Sequence, residues 1–206
     1  MDAYAAVVLA GGAARRMGGV DKPARTVGGL PMRDRVLAAV ADAAPRILVG
    51  PPGPVPAGVR VTREEPPGGG PVAAAAAGLA LLDAGTPVVA LLAADLPLLT
   101  RAAVGELLDR LDADGHDGAC YVDVDGRRQT LCGVWRVAPL RAALDRLATE
   151  RAGRQPGFAA PLAGAPIRAL LAGLRVREVP WSGAGPPPWF DCDTDEDVRR
   201  AEEWTR

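Results

Sequence analysis

The 206-residue sequence predicts a single-domain α/β protein whose sheet is mostly parallel and covered by helices on both faces. Two apolar runs, at residues 5–9 and 87–92, are short and show no alternation, which is typical of strands buried on both faces. Helical segments separate most of the predicted strands, and the length suits one domain with a full core. We therefore expect a three-layer α/β/α sandwich, Rossmann-like in its arrangement, with one antiparallel strand.

The elements are predicted in chain order from their composition and their flanking Gly and Pro residues. The predicted strands are residues 5–9, 46–49, 59–62, 87–92, 119–124, 130–135 and 175–179. The predicted helices are residues 33–43, 72–84, 100–111, 139–149, 167–172 and a last helix that ends near residue 204. Thr100 is a good N-cap for the third helix, and Asp193 or Thr194 caps the last, with Asp193 favoured. The turn Asp125-Gly126 favours an antiparallel pair for the strands around it.

Composition excludes several classes of function. The net charge is −1, which argues against nucleic-acid binding through bulk basic charge. No run of 18 apolar residues predicts a membrane span, and the first residues lack the basic region of a secretory signal. Cys120, Cys132 and Cys192 lie far apart without metal-type spacing, so we expect free thiols and a cytoplasmic location.

One lysine stands out among the basic residues. Lys22 is the only lysine among 24 Lys and Arg residues, in a chain that otherwise uses Arg throughout. Codon bias alone could leave a single lysine, but an ammonium is a compact point charge that a planar guanidinium does not replace. Position 22 is therefore a candidate for lysine chemistry.

The first strand ends in a glycine-rich loop at residues 11–19, and the strand-then-loop motif as a whole runs from Leu9 to Lys22. Glycines let the backbone approach phosphates and donate N–H hydrogen bonds, and Arg16 and Lys22 would supply cations. The spacing from Gly18 to Lys22 does not fit a Walker A loop, and the G-x-G-x-x-G dinucleotide fingerprint is absent. The loop therefore predicts polyphosphate binding of another kind.

The run L-A-G-G-x-x-x-R-M-G-G-x-D-K at residues 9–22 resembles the signature of the MobA-like nucleotidyltransferase family, and in particular its molybdenum cofactor guanylyltransferases. Three later blocks fit the same family: residues 70–73, residues 94–97 and residues 190–197. Two positions depart from the family pattern, because Ala74 stands where a Gly is usual and Asp195 where a Pro is usual. The matches extend from residue 9 to about residue 204.

The resemblance implies a nucleotide site in the first part of the chain, residues 1–112. It assigns base and ribose contacts to the first loop and to an acidic residue after the third strand, which aligns with Glu64 and less well with Glu65. A family Asn at the end of the second strand falls on Gly50, and the chain contains no Asn. The implied nucleotide-binding residues are Leu9, Ala10, Gly11, Gly12, Lys22, Glu64 and Asp95.

Asp95 is the strongest candidate for a metal ligand. It follows a buried strand whose end faces the same crevice as the glycine loop, and Mg²⁺ takes one or two protein carboxylates beside phosphate oxygens. Asp191 is the first choice for a second ligand and Asp193 the second choice; helix capping is the alternative role for both. Arg16, Lys22 and Asp95 are the expected catalytic residues.

The second part of the chain, residues 113–206, is expected to bind the acceptor and to supply the second metal ligand. Arg127, Arg128 and Gln129 are candidate contacts for an acceptor phosphate, although a solvated hairpin turn explains them equally well. The family's basic cluster in the later helix region is reduced here to Arg168. His116, the only histidine, is expected to have a surface role.

The resemblance implies Mg²⁺-dependent transfer of GMP from GTP to the terminal phosphate of the molybdopterin cofactor, with release of pyrophosphate. The implied partners are GTP, the molybdopterin cofactor and molybdoenzymes or other cofactor-biosynthesis proteins, without nucleic acid or membrane. Two alternatives stay open. One is a sister enzyme that uses CTP or a sugar-phosphate acceptor, although the sister cytidylyltransferases tend to have L-A-A-G at residues 9–12. The other is a non-catalytic GTP-binding chaperone for the cofactor.

Overall fold

A computed structural model describes residues 3–11, 24–112, 115–154, 159–183 and 185–206. The strands in these ranges are β1 (Tyr4–Leu9), β2 (Thr26–Val27), β3 (Leu30–Pro31), β4 (Arg46–Val49), β5 (Val59–Thr62), β6 (Val88–Ala93), β7 (Gly118–Val122), β8 (Arg128–Arg136) and β9 (Val176–Pro180). The helices are α1 (Met32–Ala39), α2 (Pro71–Ala80), α3 (Arg101–Asp112), α4 (Val137–Arg154), α5 (Ile167–Leu171) and α6 (Asp195–Trp204).

The main sheet has the strand order β5-β4-β1-β6-β8-β7-β9. The pairings among β5, β4, β1 and β6 are parallel, and β9 pairs in parallel with β7. Strand β8 lies between β6 and β7 and is antiparallel to both. The predicted mostly parallel sheet with one antiparallel strand is therefore confirmed.

Helices cover both faces of this sheet, as predicted. The residues of β1 alternate between the two faces, with Ala6 and Val8 in one apolar cluster and Val7 and Leu9 in the other. The first cluster packs against α1 and α3, and the second packs against α2, α4 and α5. Every residue of β1 is buried, which explains why its sequence is continuously apolar.

A smaller third cluster was not predicted. Strands β2 and β3 form a two-residue hairpin around Gly28-Gly29, both of which have positive φ. Helix α6 packs on this hairpin, and Leu98 from the segment after β6 joins them. The C-terminal helix thereby contacts elements from the first half of the chain.

Several helix boundaries differ from the prediction. Helix α1 ends at Ala39, not near residue 43, because the chain then turns so that the Ala44 N–H donates to the Tyr4 carbonyl. Helix α4 begins earlier than predicted, at Val137, since proline is tolerated in the first turn of a helix and Pro139 does not interrupt it.

The N-cap of α6 corrects a further prediction. Thr194, and not the favoured Asp193, caps this helix, and its hydroxyl accepts from the Asp197 N–H. Asp197 in turn accepts from the Thr194 N–H at 2.7 Å, which completes a capping box.

Among the helices of the described residues, none combines the length and the apolar character of a membrane-spanning segment.

Candidate active site

Four neighbouring parallel strands end at one level along the same edge of the sheet. Leu9 at the end of β1 is in register with Val49 of β4 and with Ala93 of β6, and Val49 is in register with Thr62 of β5. The sequence order runs outward from β1 through β4 to β5 on one side, whereas β6 lies on the other side. This edge is therefore a topological switch point, where open α/β sheets bind their ligands.

The start of the glycine loop lies at the centre of this edge. The Ala10 N–H donates to the Val49 carbonyl at 2.7 Å, and the Leu9 carbonyl accepts from the Ala94 N–H at 3.0 Å. These bonds place Leu9, Ala10 and Gly11 between the ends of β4 and β6. Three predicted site residues, Gly12, Arg16 and Lys22, lie outside the described residues.

Glu64 is the buried acid of the site. Its side chain is 4 % exposed, and Oε1 accepts from the Gly68 N–H at 2.9 Å. A Cβ on Gly11 would lie 3.3 Å from Oε1 and 3.5 Å from Oε2, so the carboxylate lies directly beside the glycine loop. Oε2 is buried without a hydrogen-bond donor among the described residues. A buried carboxylate oxygen in that state calls for a partner, and a ligand in the loop can provide one.

The neighbouring Glu65 differs from Glu64 in its environment, because its side chain is exposed. The structure therefore separates the two acidic residues between which the sequence left a choice. Of these two acidic residues, Glu64 is the one whose carboxylate lies beside Gly11 at the start of the glycine loop.

Gly50, at the position of the family's Asn, packs tightly against the same loop. A Cβ on Gly50 would lie 3.0 Å from the Ala10 Cβ and 3.2 Å from the Ala10 carbonyl carbon. That contact is closer than side chains normally tolerate, so any larger residue at position 50 would require the loop to move. The missing Asn therefore leaves no vacant space at this point of the site.

Asp95 is half-buried and follows β6 at the same edge. Its carbonyl accepts from the Cys192 N–H at 3.2 Å, which brings Asp191, an exposed neighbour of Cys192, to the Asp95 turn. These two carboxylates come from positions almost 100 residues apart in the chain. Within the described ranges, no cluster of three or more His, Cys, Asp or Glu residues forms a metal site. A pair of carboxylates suits Mg²⁺, which completes its coordination with phosphate and water oxygens.

Arg35 of α1 holds the Asp95 turn in place. Its Nε donates to the Pro97 carbonyl at 2.8 Å, and its Nη1 donates to the Val27 carbonyl at 3.2 Å. One guanidinium thus links the turn after β6 to the strand that follows the glycine loop. No motif in the sequence indicated this role, because α1 also contains Arg33 and no pattern distinguishes the two arginines.

An aromatic cluster holds the segment that leads to Asp191. Trp189 lies 5.3 Å from the buried Tyr121 ring, and Trp181 lies 5.5 Å from it in an edge-to-face arrangement. The Tyr121 hydroxyl lies 2.9 Å from both the Ala103 carbonyl and the Glu106 carboxylate. Trp189 is two residues before Asp191, so this packing fixes the approach of the second carboxylate. The one signal for it in the sequence is the aromatic pair Trp189-Phe190 directly before Asp191.

The candidate acceptor contacts are bonded to other residues of the chain or exposed to solvent in the structure. Arg127 is exposed in the β7–β8 turn, where its N–H donates to Asp123 Oδ1 at 2.9 Å. Arg128 forms an ion pair with Glu178 at 2.8 Å, and Gln129 donates to Asp123 Oδ2 at 3.1 Å. Arg168 is exposed on α5. These contacts describe the solvated hairpin turn that was the alternative interpretation of residues 127–129.

His116 lies far from the site along the strand direction. It precedes β7, whose parallel orientation to β6 puts its start at the opposite edge of the sheet. Its carbonyl accepts from Arg136 Nε at 3.0 Å, and its side chain is half-buried. The expected surface role is therefore only partly met.

The edge described above is where sheets of this kind bind nucleotides, and comparison with known proteins identifies the class of enzyme. Residues 6–177 match the MobA-like NTP transferase domain, which is well over half of the chain. The chain therefore belongs to the MobA-like NTP transferase family and is a nucleotidyltransferase. The family resemblance inferred from the sequence is confirmed.

Curated relatives agree with this membership. A protein of Nitrobacter hamburgensis is 33% identical over 211 residues, which cover 95% of this chain and 91% of the relative. A protein of Cereibacter sphaeroides is 35% identical over 161 residues, covering 75% of this chain and 79% of the relative. Both relatives are named molybdenum cofactor guanylyltransferase.

Solved structures show the same fold at low identity. Molybdopterin-guanine dinucleotide biosynthesis protein A from Archaeoglobus fulgidus has a TM-score of 0.70 at 18% identity, and the match covers 96% of both chains. The 2-C-methyl-D-erythritol 4-phosphate cytidylyltransferase from Thermus thermophilus has a TM-score of 0.67 at 21% identity, covering 98% of both chains. Because guanylyl and cytidylyl enzymes share the fold, the fold alone does not select the nucleotide.

Proposed function

We propose that this chain transfers GMP from GTP to the terminal phosphate of the molybdopterin cofactor and releases pyrophosphate. The observation that carries the proposal is the buried Glu64 carboxylate beside Gly11, with an oxygen that lacks a donor among the described residues. Membership of the MobA-like family and the names of the curated relatives support the same activity.

Glu64 favours guanine over adenine and cytosine on chemical grounds. An ionised carboxylate only accepts hydrogen bonds, and it can accept two parallel ones. The pairing edge of guanine carries adjacent N1–H and N2 amino donors, whereas adenine and cytosine each place an acceptor beside their amino group. A guanine base in the glycine loop would therefore satisfy Glu64, and an adenine or cytosine in the same pose would present an acceptor to it.

Asp95 and Asp191 are the residues that would hold Mg²⁺. When bound there, the ion would neutralise charge on the phosphate oxygens of the nucleotide. The Cys192–Asp95 hydrogen bond and the aromatic packing around Trp189 keep these two segments together before any ligand arrives. Arg16 and Lys22 are proposed to add cationic charge from the glycine loop.

The transfer needs positioning more than acid–base chemistry. An oxygen of the acceptor's terminal phosphate, which is ionised at neutral pH, attacks the α-phosphorus of GTP. The bond from that phosphorus to the α–β bridging oxygen breaks, and pyrophosphate leaves. The site residues orient the two phosphates and offset the charge that develops on the phosphorus and the leaving group.

The decisive experiment supplies the purified protein with GTP, Mg²⁺ and the molybdenum–molybdopterin cofactor. We expect a molybdopterin guanine dinucleotide by mass spectrometry and stoichiometric pyrophosphate. Parallel reactions with CTP and ATP should give at least about tenfold less product, as expected when a buried acceptor meets the wrong base. Lys22→Ala should lower kcat by about 10² if the ammonium stabilises the transition state, while Lys22→Arg tests the need for a point charge.

Two results would support the alternatives. Efficient product formation with CTP, or with a sugar phosphate in place of the cofactor, would identify a sister transferase. Mg²⁺-dependent GTP binding without pyrophosphate release for any acceptor would identify a non-catalytic carrier. Unchanged pyrophosphate release in a folded Lys22→Ala variant would remove the lysine from the mechanism.

A further inference from the structure

Arg151 lies on α4, outside the site motifs. Its guanidinium donates hydrogen bonds to two backbone carbonyls of one turn. Its Nε donates to the Pro161 carbonyl at 2.5 Å, and its Nη2 donates to the Ala163 carbonyl at 2.9 Å. The turn has its own internal bond, since the Ala163 N–H donates to the Ala160 carbonyl at 2.9 Å. Arg151 therefore fixes the position of residues 160–164 relative to α4.

This turn contacts the loop that precedes α2. The Gly164 N–H donates to the Gly69 carbonyl at 2.7 Å, and Gly164 adopts a positive φ of 68° to do so. Gly69 is buried, and a Cβ on it would lie 2.9 Å from the Pro66 carbonyl oxygen and 3.0 Å from the Ala73 Cβ. A glycine in so confined a position has little freedom to move independently of its neighbours.

The same loop holds the carboxylate of the nucleotide site. Gly68, adjacent to Gly69, donates its N–H to Glu64 Oε1 at 2.9 Å, and the Gly69 N–H donates to the Pro66 carbonyl at 3.0 Å. Glu64 Oε1 is also the atom nearest to the space beside Gly11. Hydrogen bonds and the short backbone segments between them thus connect Arg151 through residues 160–164 and Gly68-Gly69 to Glu64.

We propose that Arg151 is a positioning residue for the nucleotide: through the turn 160–164 it holds Gly68-Gly69, and thereby the Glu64 carboxylate, in the place where the base binds. The proposal rests on the proposed function, because it assigns Glu64 to nucleotide recognition. Arg151 itself does not contact the reacting atoms. Its loss should weaken nucleotide binding and leave the transfer step unchanged once the site is saturated.

The test compares three variants of the full-length chain. Arg151→Met keeps the aliphatic stem of the side chain and removes every donor. Arg151→Lys keeps the charge and one group that can donate to a carbonyl. Arg154→Met is the matched control, since Arg154 is exposed one turn further along the same helix. Thermal unfolding of each variant shows whether it is folded under the assay conditions.

Two measurements are made on each folded variant. The first is the KM for GTP, the KM for the acceptor and kcat, together with the Kd of GTP by calorimetry. The second is backbone amide exchange in the ligand-free protein, resolved for residues 64–70 and for residues 159–166. The exchange measurement needs no nucleotide and no activity.

We expect Arg151→Met to raise the KM and Kd for GTP about tenfold, the effect of weakening one hydrogen bond to a charged group. The acceptor KM and kcat should change by less than about twofold, because only binding is affected. Amide exchange should accelerate at residues 64–70 as well as at residues 159–166. Arg151→Lys should recover part of the GTP affinity, and Arg154→Met should behave as the unmodified protein.

Faster exchange confined to residues 159–166, with unchanged GTP affinity, would overturn the proposal and leave Arg151 a purely local anchor. The proposal would also be overturned if Arg151→Met lowered kcat by the same factor as it raised the KM for GTP, and if Arg151→Lys restored neither value. Failure of the proposed function is distinguishable, because the unmodified protein would then neither bind nor use GTP. In that case the exchange at residues 64–70 still decides whether Arg151 holds the Glu64 loop.

Discussion

Glu64 and Glu65 are adjacent acids, but only one of their two carboxylates lies against Gly11. The structure separates them, because Glu64 is 4 % exposed beside Gly11 and Glu65 is exposed. Burial of this kind depends on the loop at residues 66–70 folding back over the strand end, which composition does not encode.

This difference gives a matched pair of variants. Glu64→Gln replaces one acceptor oxygen by an amide that donates, so it should oppose the guanine donors and raise the KM for GTP at least about tenfold. Glu65→Gln removes the same charge from an exposed side chain and should leave the KM unchanged. Steady-state kinetics with varied GTP measure both. Equal KM values for the two variants would contradict the assignment of Glu64.

Gly50 lies where the family resemblance implies an Asn, and the sequence predicts that this base contact is lost or replaced by the backbone. The Gly50 Cα approaches Ala10 so closely that a Cβ would lie 3.0 Å from the Ala10 Cβ, which gives the absence of a side chain a physical reason. The proposed recognition of the base therefore relies on other residues, of which Glu64 is the buried acid beside Gly11.

At the scale of elements, the strands were easier to predict than the helix ends. The predicted β4 and β5 have the bounds found in the structure, because β4 is a short run between Pro45 and Gly50 and β5 is a β-branched run that starts directly after Gly58. The ends of α1 and α4 depend on contacts with distant residues, such as the Ala44–Tyr4 hydrogen bond. The β2–β3 hairpin was missed, since strands of two residues leave no periodicity to detect.

Helix α2 contains a glycine that reverses the usual rule on helix propensity. In most helices Gly→Ala is stabilising, but a Cβ on Gly78 would lie 2.4 Å from Val7 Cγ1 in the central strand. We expect Gly78→Ala to lower the free energy of unfolding by about 1–3 kcal/mol through overpacking. Urea denaturation followed by circular dichroism provides the measurement.

The control for this prediction lies on α4. A Cβ on Gly153 meets no atom within 4 Å, and the residue is exposed. Gly153→Ala should therefore raise the free energy of unfolding by up to about 1 kcal/mol, since only the backbone entropy of the unfolded chain changes. A stabilised Gly78→Ala variant would show that α2 can shift away from β1, contrary to the packing described above.

In the whole molecule, residues 1–112, which were expected to bind the nucleotide, pack closely with residues 113–206, which were expected to bind the acceptor. Strand β8 from the second part pairs with β6 from the first, and α6 packs on β2 and Leu98. The two candidate metal ligands could be named from motifs, but the backbone contact between their segments could not. That contact is the Cys192–Asp95 hydrogen bond, and the packing of Trp189 on Tyr121 supports it with residues that lie far apart in the chain.

The three cysteines, which the sequence predicted to be free thiols, lie in three different apolar clusters of the interior. Cys132 lies in the apolar cluster on the α3 face, Cys120 in the cluster on the α2 face, and Cys192 in the cluster under α6. All three are buried and none forms a disulfide, and burial raises the pKa of the Cys120 thiol to about 11. None should react with iodoacetamide at pH 8 in the native protein.

Each thiol is consequently an internal reporter for one layer of the molecule. With pulsed alkylation across a urea gradient and intact-mass detection, a chain that unfolds as one unit gives only species with no label or three labels. A singly labelled species modified at Cys192 would instead show that the layer under α6 opens first, and with it the support of Asp191. The native cysteines thus let the unfolding cooperativity of the candidate active-site edge be measured without introducing a foreign probe.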